Sequence, residues 1–186
     1  MPRARSGSSA CCDRAVLTSN IWGYLWSKLG YGAMLIATAL TDASIADCLA
    51  SEPHRPLLIA LGREVMSVAI AAGIKPEAFN GFDPAAFLPG ASMAAATATL
   101  DSLVAFNRRS AKSHSGIYRD LAVRKRKTEV PAQLAPIVAA GRRHGVATPL
   151  TARLIELIRD IEEGRRPLAW ATLDELGAAQ AFGAQA

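Results

Sequence analysis

The chain has 186 residues, of which 51% are hydrophobic, 20% charged and 6% aromatic, with a net charge of +5 and a mean hydropathy of +0.17. That describes one globular domain able to bury its own core, so a disulfide scaffold and a disordered chain are both unnecessary, and two large domains do not fit. Alanine supplies about a fifth of the residues, while the β-branched and aromatic types that strands favour are sparse, which points to an all-α fold.

The first fifteen residues carry Arg3, Arg5 and Arg14 without an apolar stretch. They lack the middle region of a secretory signal, so residues 1–15 are read as a tail ahead of a helical domain over 16–186, and the expected location is the cytoplasm. Cys11 and Cys12 are adjacent and Cys48 stands alone. That spacing makes neither a disulfide framework nor a metal site, and free thiols are expected.

From Thr18, apolar residues recur every three or four positions at Ile21, Leu25, Leu29 and Ile36, broadened by Trp22, Trp26, Met34 and Leu35. The spacing predicts a largely buried helix ending near Thr41 and Asp42. The longest apolar run, Leu29 to Leu40, is twelve residues, well short of the ~20 needed to cross a bilayer. Lys28 is the only charge between Thr18 and Leu40. A lysine on such a face either snorkels to solvent or serves a cleft.

A second helix is expected after Pro56, through Leu57, Leu61, Val65 and Val68 to a stop at Gly73. Pro76, Gly81, Pro84, Pro89 and Gly90 mark residues 74–91 as a loop with at most a short turn near 85–88. A third helix runs from about Ser92, a capping residue, to Ser110. Two more are expected over about 129–144 and 149–164, separated by Gly145, with a kink at Pro136. Thr148 and Pro149 suit the N-cap and first turn of the later one. There, Leu150, Leu154, Leu157, Ile158 and Ile161 form a stripe opposite Arg153, Glu156, Arg159, Asp160 and Glu163.

The positive charge is local. Residues 108–127 hold eight basic side chains against Asp120, while the rest of the chain has 13 basic and 15 acidic residues. The run Arg124 to Lys127 reads first as a solvated loop, then as a site for an anionic ligand. Nucleic acid ranks last, because only Tyr118 interleaves with the cations. His54, His114 and His144 are scattered, with no metal or hydrolase motif. Gly30-Tyr31-Gly32 lies inside a helix and lacks the third glycine of a dinucleotide fingerprint. Residues 113–130 mix Ser115, Gly116, Asp120 and Glu129 with cations in an expected loop ahead of a helix, where sites are often held.

Three segments in this order, WSKLGYGAML, SGIYRDLAVRKRKTEV and GRRHGVATPLT, resemble the C-terminal domain of the ketopantoate reductases (2-dehydropantoate 2-reductases) over about residues 16–165. The resemblance implies a helical bundle similar to the C-terminal domain of 6-phosphogluconate dehydrogenase. In this family it follows a Rossmann domain that binds NADPH, and no such domain is legible here. It implies a 2-keto acid substrate, with reduction of 2-dehydropantoate to pantoate for pantothenate biosynthesis as the family reaction, and a homodimer. Lys28 matches the family's catalytic lysine, Glu129 its glutamate at the cofactor and substrate cleft, and Ser115 or Gly116 its substrate-binding serine. Gly32, one turn after the lysine, occupies a substrate-binding position where the family has asparagine, and Ile36 replaces a second asparagine. The stretch from Asp120 to Glu129 is one residue longer than in the best-known members. An ammonium within reach of a 2-keto oxygen can protonate and stabilise the alkoxide formed on reduction. The rival reading is a stand-alone helical interaction module without catalysis, exposing apolar surface where the nucleotide-binding half would dock.

Overall fold

The structure is a computed structural model that describes residues 17–79 and 81–183; Cys11, Cys12 and the expected tail fall outside the described residues. Among the described residues eight helices form: α1 Ile21–Thr38, α2 Ile45–Ala50, α3 Arg55–Ala71, α4 Met93–Arg109, α5 Gly116–Tyr118, α6 Val130–Arg143, α7 Pro149–Glu162 and α8 Trp170–Gly183. Short 3₁₀ turns occupy Glu52–His54 and Pro84–Phe87, the latter where the loop was expected to turn. Among the described residues the only β feature is an isolated bridge between Phe79 and Phe82. The fold is all-α, as composition implied.

Helix ends follow the local chemistry. Asn20 caps α1 by accepting from the Gly23 N–H at 3.1 Å, and Ser92 caps α4 by accepting from Ala95 N–H at 3.1 Å. Beyond α3, Gly73 adopts φ 74°, and the Ile74 N–H reaches the Ala69 carbonyl at 2.9 Å, a left-handed stop that a side chain would strain. Gly145 ends α6 in the same way, with Val146 N–H on the Gly141 carbonyl at 2.8 Å. Pro136 lies inside α6, which continues through it on an exposed face.

Thr148 and Pro149 do occupy the start of α7, yet the Thr148 hydroxyl caps nothing. Glu64 of α3 takes over, its carboxylate accepting from the Leu150 N–H (2.8 Å), the Thr151 N–H (2.9 Å) and the Thr151 hydroxyl (2.8 Å). Burial pushes this carboxyl up from its ordinary pKa, and the three hydrogen bonds oppose without cancelling that effect.

α3 is the central element, packed against α1, α4, α6, α7 and α8. Leu58, Leu61, Val65 and Met66 are fully buried, and Phe87 from the 84–87 turn seats directly over Gly62, where an added Cβ would stand 2.8 Å from the ring. The α7 stripe is buried at Leu150, Leu154, Leu157 and Ile158. Cys48 is a free, buried thiol, pushed up to about 12 by burial.

Three expectations need correction. The N-terminal half of α1 is buried on one side only, at Gly23 and Ser27: Trp22 is 65% exposed, and Ile21 and Leu25 are also open. Residues 113–130 are not simply a loop, since α5 runs into a π turn at Arg119–Arg124, placing Ile117 and Leu121 in the core four residues apart. Helices α2 and α8 were not anticipated.

Candidate functional site

Helical spacing places Lys28, Gly32 and Leu35 in one line along α1, and that line faces a cleft of about 530 Å³ closed on its far side by Gln133 and Leu134 of α6. The third wall is Phe79 of the 74–79 loop. This loop is held by the start of α1. Asn20 donates to the Lys75 carbonyl at 2.8 Å while also capping the helix, and Thr18 donates to Glu77 at 3.3 Å. Gly23 lets the loop lie this close, because a Cβ there would collide with the Lys75 carbonyl oxygen. Phe79 is thereby packed against Tyr24 and Tyr31, with ring centroids 5.3 and 6.1 Å apart.

Most of the lining is apolar, with Trp22, Trp26 and Leu29 beside the lysine. Tyr31 contributes its ring, not its hydroxyl. The hydroxyl accepts from Asn107 at 3.0 Å inside the core, and burial raises its pKa against the opposing effect of that bond. The polar groups left for a ligand are therefore Lys28, Gln133 and the indole N–H groups of Trp22 and Trp26. Lys28 is exposed to the cleft, and among the described residues no carboxylate pairs with it.

The sequence-derived residues are only partly gathered. Lys28 and Gly32 share the cleft. Glu129 sits just before α6, one turn ahead of Gln133, whose N–H donates to the Glu129 carbonyl at 3.0 Å. It is not part of the cleft's wall. Ser115 and Gly116 stand at the start of α5, outside the lining, and the Ser115 hydroxyl is engaged as a cap, accepting from the Tyr118 N–H at 3.1 Å. Ile36 is 3% exposed and belongs to the core, not the cleft. Gln133 and Phe79 were not anticipated. Gln133 could have been found from its spacing to Glu129, whereas a phenylalanine between prolines and glycines carries no periodicity.

Within the basic segment, Arg124 and Arg126 are the cations with a carboxylate partner among the described residues. Asp120 accepts from Arg124 at 2.7 Å and Arg126 at 3.0 Å, and those two bonds, led by Arg124, hold its carboxyl below the usual aspartate range. Glu162 accepts from the Thr128 N–H and hydroxyl, both at 2.7 Å. These contacts are local tethers of an exposed segment.

Among the described residues no group of three His, Cys, Asp or Glu side chains is placed to hold a metal, and no helix is long and apolar enough to cross a membrane. NADPH does not fit these residues alone. A dinucleotide site needs a strand leading through a glycine turn into a helix, and the described residues hold no sheet to provide it.

No curated protein and no solved structure matches the chain. A family model described as ketopantoate reductase PanE/ApbA, C terminal, matches residues 20–162, a span that includes the whole of α1, the π turn and α6. By that match the chain belongs to the ketopantoate reductase C-terminal family.

Proposed function

We propose that this domain forms the substrate side of an NADPH-dependent 2-keto acid reductase, with Lys28 as the proton donor. The observation that carries the reading is one lysine, unpaired by any described carboxylate, in an otherwise apolar cleft beside a single amide. An ammonium in such surroundings attracts a carboxylate or keto oxygen more strongly than it would in water. Lys28 Nζ holds the keto oxygen and delivers a proton to it as the carbon is reduced, and Gln133 orients the acid. Glu129, one turn ahead of Gln133, is assigned to the cofactor side. A nicotinamide, which these residues do not form a site for, would supply the hydride when carried by a nucleotide-binding domain.

The test is 2-keto acid-dependent oxidation of NADPH by the native protein isolated from its source cells, compared with a Lys28→Met form expressed in the same cells. Loss of turnover by about 10²- to 10⁴-fold with an unchanged circular dichroism spectrum supports the assignment. Equal turnover refutes it.

A second reading, a non-catalytic interaction module, draws on the exposed apolar start of α1, where Leu17, Ile21, Trp22 and Leu25 face solvent. It requires concentration-dependent self-association that Trp22→Ser weakens, together with no keto acid binding at Lys28.

A further inference from the structure

The positions that follow Lys28 along α1 supply nothing that could hydrogen-bond a substrate. An ideal Cβ built on Gly32 meets no atom within 4 Å, so the space beside the lysine is open. One turn further, Ile36 is turned into the core. The walls around that opening are Trp26, Leu29, Leu35 and Phe79, while Tyr31 is buried and its hydroxyl accepts from Asn107 in the core. A ligand hydroxyl lodged there would give up water for walls that are mostly carbon, with the indole N–H of Trp26 as the nearby donor, whereas an aryl or branched alkyl group would exchange water for apolar contact. A volume of about 530 Å³ is ample for such a body. At one end stands a single ammonium, enough for one carboxylate and its neighbouring keto oxygen.

We infer that the cleft selects 2-keto acids with a bulky apolar or aromatic body over small or hydroxylated ones, and that Gly32 is the specificity-determining residue that makes room for it. The inference rests on the substrate-side reading of Lys28. Burial of each methylene-sized group corresponds to about a fourfold gain in affinity, so a phenyl group accommodated beside Gly32 should bring at least a tenfold preference over pyruvate.

The experiment is titration of the 186-residue chain with phenylpyruvate, pyruvate, 4-hydroxy-2-oxobutanoate and the neutral ketone phenylacetone, followed by two-dimensional NMR. The indole N–H signals of Trp22 and Trp26 report the cleft. Trp170, which packs against His54 on another face, serves as the control. Phenylpyruvate is expected to shift the two cleft signals saturably, at least tenfold more tightly than either small acid, and to leave Trp170 unmoved. Gly32→Leu should fill the opening and cost phenylpyruvate at least tenfold while changing pyruvate little. Gly32→Ala should fall between, and Lys28→Met should weaken all three acids alike.

If the acids bind in a Lys28-dependent way but without preference for the phenyl group, or if Gly32→Leu leaves the preference intact, the specificity inference is overturned and the substrate-side reading survives. If phenylacetone binds as tightly as phenylpyruvate and Lys28→Met changes nothing, the substrate-side reading itself falls and takes this inference with it. Absence of saturable phenylpyruvate binding at tens of millimolar also overturns the inference.

Discussion

Removing the Glu64 side chain tests how the α7 end of the molecule is held against the central helix. In Glu64→Ala, the Leu150 and Thr151 N–H groups lose their acceptor, and so does the Thr151 hydroxyl, in a residue that is fully buried. Hydrogen bonds to a charged group contribute about 1.5–3 kcal/mol each, which sets a gross range of about 5–9 kcal/mol for three. Part of that is already offset in the wild type by the desolvation that pushes the carboxyl up, and water can reach some of the space left by truncation. A net loss of about 3 kcal/mol is expected, above the usual ~2 kcal/mol ceiling for a lost cap because two buried N–H groups are orphaned together. For a chain of this length that lowers Tm by about 6–12 °C.

Urea and thermal unfolding measure the loss, and amide exchange across Leu150–Leu154 shows whether it is concentrated at α7. The pH dependence has a definite sign. A raised carboxyl pKa means the folded chain holds the proton more tightly than the unfolded one, so Glu64 contributes most below the ordinary glutamate pKa. That contribution shrinks as pH rises from the ordinary value through the raised one. The stability gap between wild type and Glu64→Ala should therefore narrow across that window. A loss under 1 kcal/mol, or a gap that widens there, would refute the account of Glu64 as the remote cap of α7.

Other consequences are open to direct measurement. Phe87→Ala empties the site above Gly62 and should cost about 3–5 kcal/mol in denaturant unfolding, with Phe87→Leu costing less. Cys48, buried and pushed up to about 12, should resist iodoacetamide at neutral pH in the native chain and react fully in urea, as read by peptide mass mapping. Because Arg124 and Arg126 hold the Asp120 carboxyl low, their tether is complete above the ordinary aspartate pKa and is lost as pH falls through the lowered value. Acid should loosen residues 119–128 at a pH where Asp120→Asn is already loose, measured by limited proteolysis at matched protease activity.

What could be read from sequence divides by the range of the forces involved. Gly73, Ser92 and Gly145 act through their own backbone or side chain within one turn, so the ends of α3, α4 and α6 fell close to where the spacing placed them. Lys28 was legible for a related reason: one charge amid more than twenty uncharged residues must find either solvent or a cleft, and both options put it at a surface. α2 is too short for periodicity to register. In α8 the apolar signal is carried by Leu173 and Leu176 among alanines, and its start is anchored from far away, by His54 bonded to Asp174 at 2.9 Å and packed against the Trp170 ring.

The start of α7 shows where local rules stop. Thr148 has the right residue type in the right position, and α7 does begin there, but the acceptor for its N–H groups comes from Glu64, 86 residues earlier. Thr148 is buried in a backbone geometry that aims its hydroxyl elsewhere, so the propensity predicts the boundary correctly while a different atom satisfies it. The candidate site is divided in the same manner. Lys28 and Gly32 come from one helix and were readable together, whereas Gln133 and Phe79 enter the cleft only through packing of α6 on α1 and through the Asn20–Lys75 contact, pairings that no local pattern encodes. One wall of the cleft, with Lys28 and Gly32, was thus visible on α1 alone, and its shape depends on contacts between segments more than fifty residues apart.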